Sequence, residues 1–138
     1  MAVSWLLDTS VITRFAVHAV RARVEQLAVD QTRMARASIT DLEVGFSARN
    51  AAEFDALVGA LTAFGRVEIE PQHFRRAHQV QRLLADRGLR GRKVPDLLIA
   101  AAAEAHTMTV VHYDSDFDHI STVTGQPTTW IVPAGTID

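Results

Sequence analysis

Acidic side chains at four separated positions of this 138-residue chain could act together at one site. In chain order they are Asp8, Glu43, Asp96 and Asp114. Carboxylates that converge repel one another, and a bound divalent cation removes that cost. Hard oxygen ligands favour Mg²⁺ or Mn²⁺ over zinc. Such an ion can activate water and stabilise charge on a phosphate, so the indicated chemistry is hydrolysis of a phosphodiester without a covalent intermediate.

The elements that must position these acids can be predicted from the apolar pattern. Asp8 follows the short apolar run 3–7, and Asp114 follows the β-branched run 108–112. In an open α/β sheet, ligands bind outside the carboxyl ends of the strands, where both acids are then expected. Asp96 follows a proline at the start of an alanine-rich helix that leads into the run 108–112.

Each acid also has an ordinary structural explanation. Asp8 could cap a helix. Thr40 and Glu43 fit a capping box, in which Glu43 bonds back to the backbone. Asp96 could stabilise a helix N-terminus through the helix dipole. The coincidence of four acids at one predicted edge favours a functional site.

Strand and helix patterns alternate along the whole chain. Strands are predicted at 3–7, 34–37, 67–69, 108–112 and 128–132, and helices after Asp8 and at 17–29, 38–48, 51–63, 72–87, 95–105 and 114–120. This alternation predicts a three-layer α/β/α fold with a mainly parallel central sheet. With neither repeat nor linker in the pattern, we expect one domain over residues 1–138.

Composition excludes several classes of protein. Hydrophobic residues make up 48%, which is enough for a core, and there is no cysteine to supply a disulfide, a thiol nucleophile or a zinc ligand. No apolar run reaches the ~20 residues that span a bilayer. The first residues lack the basic region of a signal peptide. We therefore expect a reduced, cytoplasmic protein.

The formal net charge of −2 conceals a local basic segment. Half of the 14 basic residues lie between positions 75 and 93, and only Asp86 opposes them there. They are Arg75, Arg76, Arg82, Arg87, Arg90, Arg92 and Lys93. A solvated helix face is the ordinary explanation of such a run. The alternative is a surface that contacts phosphates close to the acidic site.

Four segments resemble, in order, the four motifs of the PIN-domain nucleases, and within them the VapC toxins of bacterial type II toxin–antitoxin systems. The segments are LLDTSVI at 6–12, SITDLEVG at 38–45, PDLLIAA at 95–101 and VHYDSDFDHI at 111–120. The resemblance covers nearly the whole chain. It implies a Mg²⁺-dependent (or Mn²⁺-dependent) endoribonuclease that is neutralised by a small VapB-like antitoxin and forms a homodimer.

The resemblance also implies roles for individual residues. The catalytic residues by position are Asp8, Glu43, Asp96 and Asp114, and the metal ligands are Asp8, Asp96, Asp114 and Asp116. Whether Asp114 or Asp116 touches the metal directly, and whether one ion or two are bound, stays open. Thr9 and Ser10 match a polar pair that orients a carboxylate or a metal-bound water, and Arg92 and Lys93 would position the RNA.

Two other functions remain as alternatives. One is a different Mg²⁺-dependent phosphohydrolase on a similar sheet, and the other is an RNA-binding module of the same fold without catalysis. The helices at 17–29 and 51–64 carry enough apolar positions to bind an antitoxin or a second copy, or simply to pack together. The few aromatic residues are expected in the core, so no residue that reads bases is predicted.

Overall fold

The computed structural model describes residues 4–29 and 32–138. Its strands are β1 (Ser4–Leu7), β2 (Arg33–Ala37), β3 (Gly65–Val67), β4 (Thr109–His112) and β5 (Thr128–Trp130). Its helices are α1 (Thr9–Ile12), α2 (His18–Leu27), α3 (Ser38–Phe46), α4 (Ala51–Leu61), α5 (Pro71–Asp86), α6 (Val94–Ala105) and α7 (Asp116–Thr124). The predicted first strand began at Val3, which lies outside the described residues.

The five strands form one sheet in the order β3-β2-β1-β4-β5. Every strand pairing in the described part of the chain is parallel. Parallel neighbours need a crossover between them, and here helices supply each one. The predicted α/β architecture is confirmed, and the sheet is entirely rather than mainly parallel.

Side-chain alternation along the central strands places helices on both faces of the sheet. Leu6 and Val110 join one core with α5, α6 and α7. Leu7 and Val111, their immediate neighbours, join the other core with α1 and α2. Successive residues of a strand point to opposite faces, so both central strands are fully covered. The result is the predicted three-layer arrangement.

Helix α6 is the most deeply buried helix. Residues 96–103 are all buried, including a run of four alanines from Ala100 to Ala103. Alanine side chains allow neighbouring elements to approach closely, and α6 packs against α5, α7 and β4. Asp96 lies in the first turn of this helix, so its position is fixed by the surrounding core.

Several predicted boundaries are wrong. Four elements, α2, α3, α4 and β5, end two residues earlier than expected. Two other elements are displaced. The third strand covers Gly65–Val67 rather than 67–69, because its partner β2 ends at Ala37. The amide of Ile69 donates instead to the Ser38 hydroxyl, at 2.9 Å. The last helix begins at Asp116 rather than at 114 and extends to Thr124.

The expectation that aromatic side chains lie in the core is wrong for three phenylalanines. Phe46 is 92% exposed, and Phe54 and Phe74 are also exposed. The Phe54 ring lies against Gly45, where a Cβ atom would come within 2.7 Å of the ring. These side chains form apolar surface on α3, α4 and α5.

In the described residues, no helix has the length and apolar character to cross a membrane.

Candidate active site

The acidic residues meet at the carboxyl edge of the three central strands. Asp8 directly follows β1, and Asp114 follows β4, the strand beside it. Glu43 lies on α3, which continues from β2 on the other side of β1. Asp96 reaches the same edge from the start of α6. The fold therefore brings together the four acids that lie far apart in the sequence.

Three carboxylates form the tightest group. Asp96, Asp114 and Asp116 each offer an oxygen, and these oxygens lie within 4.8 Å of one another. Asp96 is only 5% exposed, and its Oδ2 atom has no hydrogen-bond partner among residues 4–29 and 32–138. Burial, followed by the charges of Asp8 and Asp114, raises the pKa of Asp96 to about 8. The Lys93 ammonium lies 3.9 Å from this oxygen but forms no hydrogen bond with it. A buried carboxylate oxygen without a hydrogen bond is costly, which suits a site that binds a cation.

Asp8 lies beside this group but outside it. It is the N-cap of α1, where its Oδ2 accepts the Ser10 amide at 3.0 Å and the Ser10 hydroxyl at 2.5 Å. Burial raises the pKa of Asp8 to about 6, although these hydrogen bonds oppose the shift. The capping explanation and the site explanation thus both apply to Asp8. The prediction that Asp8 is a direct metal ligand stays a prediction.

Glu43 is held by Thr9. The Thr9 hydroxyl donates to Glu43 Oε1 at 2.7 Å and also lies 3.0 Å from the Thr40 hydroxyl. The capping-box explanation is wrong, because α3 begins at Ser38 with Ala37 as its N-cap. Glu43 lies in the second turn and faces the site. Like Asp8, it lies outside the group of three carboxylates.

Two cations from the segment before α6 contact the carboxylates. Arg92 donates to Asp116 Oδ1 at 2.8 Å, and Lys93 forms an ion pair with Asp114. Burial opposes ionisation of Asp114, but the hydrogen bonds from Lys93 and from the Asp116 amide outweigh it and lower its pKa. The same ion pair raises the pKa of Lys93. The predicted cations therefore neutralise part of the acidic group.

The other arginines of the predicted basic segment lie elsewhere. Arg87 donates to the Thr122 carbonyl at 3.3 Å, so it does not contact the acidic group. Arg76 is paired with Glu104 through two hydrogen bonds. The segment from Arg87 to Lys93 was expected to bring cations beside the acids, and within the described residues Arg92 and Lys93 are the members of it that pair with them.

Sequence reasoning missed the contacts that hold the β4–α7 turn. The buried His112 ring accepts the Asp114 amide at 3.2 Å and stacks on Phe117. Burial lowers the pKa of His112 to about 4, so the ring is neutral and can accept that bond. The Ser10 hydroxyl accepts the Tyr113 amide at 2.9 Å and joins this turn to Asp8. A histidine at the end of a buried strand was the only signal in the sequence.

The arrangement can hold one hard divalent cation. Its donors are carboxylate oxygens from three residues, and no thiol or imidazole is among them. A Mg²⁺ site typically has a small number of carboxylate ligands and leaves room for water and phosphate. The neighbouring Arg92 and Lys93 provide positive charge for a phosphate. This combination of acids and cations can support hydrolysis of a phosphodiester.

Comparisons with known proteins identify the family of this chain. The PIN domain family model matches residues 5–123. Ribonuclease VapC51 of Mycobacterium tuberculosis (strain ATCC 25618 / H37Rv) is 60% identical over 138 residues, which are 100% of both chains. Ribonuclease VapC21 of the same strain is 41% identical over 99% of both chains.

A solved structure has the same fold at low identity. It is the crystal structure of VapBC2 from Rickettsia felis bound to a DNA fragment from their promoter. The matching chain is 18% identical, with a TM-score of 0.77 over 92% of this chain and 98% of that one. At this identity the likeness establishes the fold alone. The family match and the full-length relatives together place the chain in the PIN-domain family, among the VapC ribonucleases.

Proposed function

We propose that the protein is a Mg²⁺-dependent endoribonuclease toxin that hydrolyses RNA phosphodiester bonds. The observation that carries the proposal is the group formed by Asp96, Asp114 and Asp116, whose oxygens lie within 4.8 Å of one another beside Arg92 and Lys93. Ribonuclease activity is in the names of relatives that are 60% and 41% identical over nearly the whole chain. Mn²⁺ would serve as an alternative ion because it prefers the same ligands.

The proposed roles follow from the contacts of each residue. Asp96, Asp114 and Asp116 would hold the cation, with Asp8 adding negative charge beside them. When bound, the cation supplies Lewis-acid stabilisation of the phosphate and lowers the pKa of water. Arg92 and Lys93 would leave their carboxylates and contact the phosphate. Thr9 would keep Glu43 oriented toward the attacking water.

The reaction would be a simple hydrolysis. Water adds to phosphorus as one phosphorus–oxygen bond breaks. One proton of the water would pass to a carboxylate, and the departing oxygen would take up a proton from solvent to become a hydroxyl. The products are one strand that ends in a phosphate and one that ends in a hydroxyl. Glu43 is the proposed acceptor of the proton because its carboxylate is hydrogen-bonded only through Oε1 in the part of the chain described.

An antitoxin of the VapB type is the proposed partner. The structural relatives include VapBC complexes, such as the one from Rickettsia felis. In this chain, an apolar cavity of about 450 Å³ lies between α1, α3 and α4. Its lining includes Ile12, Phe15, Leu57 and Phe64. Such a cavity suits the apolar side chains of an antitoxin segment. A homodimer and a single domain over 1–138 are part of the same proposal.

The experiment is cleavage of total cellular RNA by the purified protein, with Mg²⁺, with Mn²⁺ and with EDTA. New RNA ends are mapped by sequencing, and the Asp96→Asn variant serves as the control. We expect cuts at one or a few sites that need the cation and disappear in the variant. Cuts that persist in EDTA or in the variant would refute a metal-dependent site at Asp96. Absence of cuts together with undetectable Mn²⁺ binding would favour a binding module.

A further inference from the structure

A surface groove runs along α5, in part between α5 and α6, and leads toward the acidic site. Three adjoining depressions form it, the first with a volume of about 410 Å³, and all three are lined in part by Gln81. The first begins at Phe74, and the last reaches Arg92. Arg92 in turn contacts Asp116, at 2.8 Å. The groove is therefore connected to the site by a residue that belongs to both.

The groove is basic along its whole length. Arg75 lines the first depression, Arg82 the second and Arg90 the third. Within residues 4–29 and 32–138, the guanidinium groups of these three arginines form no ion pair or hydrogen bond with the protein. None of the described residues that line the groove is acidic. Unpaired guanidinium groups in a row are complementary to the phosphates of a nucleic-acid strand.

The end of the groove that lies away from the acidic site, where the first depression begins, has an exposed aromatic side chain. The Phe74 side chain is 57% exposed at the start of the groove, above a floor formed by Leu97 and Leu98. Exposed aromatic rings beside a basic track are typical of proteins that bind single strands, because every base has a face that can stack. From Phe74 to Ala85 the helix rises by about 16 Å, so the groove has room for a few nucleotides.

We infer that this groove guides single-stranded RNA to the acidic site, with Arg75, Arg82 and Arg90 contacting phosphates and Phe74 stacking on a base. The inference rests on the proposed ribonuclease function and adds the path of its substrate. A double-stranded RNA has its bases paired and stacked internally, so the aromatic contact selects unpaired RNA.

The test measures RNA binding apart from cleavage. Binding of a fluorescein-labelled, mixed-sequence single-stranded RNA is followed by anisotropy, with every variant in the Asp96→Asn background. We expect Arg75→Ala and Arg82→Ala each to weaken binding several-fold, and each lost contact to reduce the slope of log affinity against log salt by about 0.7. The matched control is Arg23→Ala, an exposed arginine of α2 on another face.

A second pair of variants tests stacking. Phe74→Ala should weaken binding about fivefold or more, whereas Phe74→Tyr, which keeps the ring, should bind as the parent does. A duplex RNA of the same sequence should show no such difference between Phe74→Ala and the parent. If Phe74→Tyr bound RNA as weakly as Phe74→Ala, the proposed stacking contact would be wrong.

The oligomeric state of each variant shows whether the groove along α5 is instead covered by a second copy of the chain. Each variant is examined by light scattering at the concentration of the binding assay. If binding falls while the oligomeric state stays the same, the groove is supported. If every loss of binding accompanies a change of oligomeric state, the face is a contact between copies and the inference is wrong. If the wild type cleaves RNA but Arg75→Ala and Arg82→Ala bind RNA normally, only the path is refuted and the ribonuclease proposal stands.

Discussion

Hydroxyl groups hold two of the carboxylates at the candidate site. Ser10 donates to Asp8, and Thr9 donates to Glu43. The two hydroxyls belong to neighbouring residues, yet they contact carboxylates that lie 35 positions apart in the sequence. Each contact fixes the orientation of a carboxylate before any ligand binds. Contacts of this kind commonly decide how well an acidic site works.

Replacing Ser10 should change the acidity of Asp8. Ser10→Ala removes the hydroxyl that stabilises the ionised form, so we expect the pKa of Asp8 to rise above about 6. One lost hydrogen bond of this type corresponds to about 0.5–1 pH unit. The measurement is an NMR titration of the Asp8 carboxyl carbon in EDTA. Ser121→Ala, which removes a hydroxyl at the far end of α7, is the control. An unchanged Asp8 titration in Ser10→Ala would contradict this account.

Replacing Thr9 should weaken catalysis without unfolding the protein. Thr9→Val has nearly the same shape but cannot donate to Glu43, so we expect kcat for RNA cleavage to fall by about 10- to 100-fold. Thr9→Ser keeps the hydroxyl and should retain most of the activity. Thr62→Val removes an exposed hydroxyl just after the end of α4 and should have no effect. Full activity of Thr9→Val would show that Glu43 needs no partner.

The position of each acid could be predicted from the sequence, but its partner could not. Asp8 and Asp114 were expected at the strand ends because each follows an apolar run. The bond from Thr9 to Glu43 depends on how α1 and α3 approach each other, and no local pattern encodes that approach. The same holds for Lys93 and Asp114, whose ion pair joins two loops.

At the scale of the elements, the loop between α5 and α6 brings cations to the acids. Gly88 and Gly91 adopt positive φ angles of 71° and 89°, which glycine accepts without strain. These turns let the chain reverse between the two helices, so that Arg92 and Lys93 meet Asp116 and Asp114. A cation that binds the carboxylates must compete with both side chains for the same oxygens.

Neutralising Lys93 should therefore strengthen cation binding while it weakens RNA binding. Lys93→Met keeps the apolar stem but removes the charge that opposes the cation, so we expect the Kd for Mn²⁺ to fall by roughly 3- to 10-fold. Calorimetric titration of the metal-free protein measures this. Arg66→Gln breaks two ion pairs, with Asp41 and Glu68, away from the three carboxylates and should leave Mn²⁺ affinity unchanged. Equal or weaker Mn²⁺ binding by Lys93→Met would exclude this competition.

Two displaced element boundaries have identifiable physical causes. The third strand is displaced because a strand ends where its partner ends, and β2 ends at Ala37. The last helix begins two residues later than expected because the Asp114 side chain accepts the Asp116 amide at 2.9 Å and keeps Asp114 in the turn. The first shift depends on a tertiary contact between strands, and the second on a side-chain contact within the turn. The long, amphipathic helix α5 was predicted almost to the residue because its pattern is strong over four turns.

For the whole molecule, the buried acids make stability depend on pH. The pKa values of Asp8 and Asp96 are raised from 3.8 to about 6 and about 8. The folded state thus binds these protons more tightly than the unfolded state does. Their contribution to the free energy of unfolding is fully present below about pH 4 and is lost as pH rises toward about pH 8. A bound cation compensates for this loss by stabilising the folded state.

Thermal unfolding in EDTA across this pH range tests the effect. Asp96→Asn cannot ionise, so its Tm should exceed that of the wild type by an amount that grows with pH, reaching about 3–8 °C near pH 8. Added Mg²⁺ should raise the Tm of the wild type at pH 8 and have little effect on the variant. A constant difference in Tm between the two proteins at all pH values would contradict the raised pKa of Asp96.

The two outer strands of the sheet have a consequence for self-association. β3 and β5 contain only three residues each, so the sheet offers a very short row of unpaired backbone groups at either margin. Edge strands this short offer an extended segment of another chain few backbone hydrogen bonds, which disfavours amyloid-like stacking. We therefore expect other chains to attach to this protein through surfaces other than the sheet margins. A variant that precipitates at high concentration would implicate side chains such as Phe46, and charge at that position should restore its solubility.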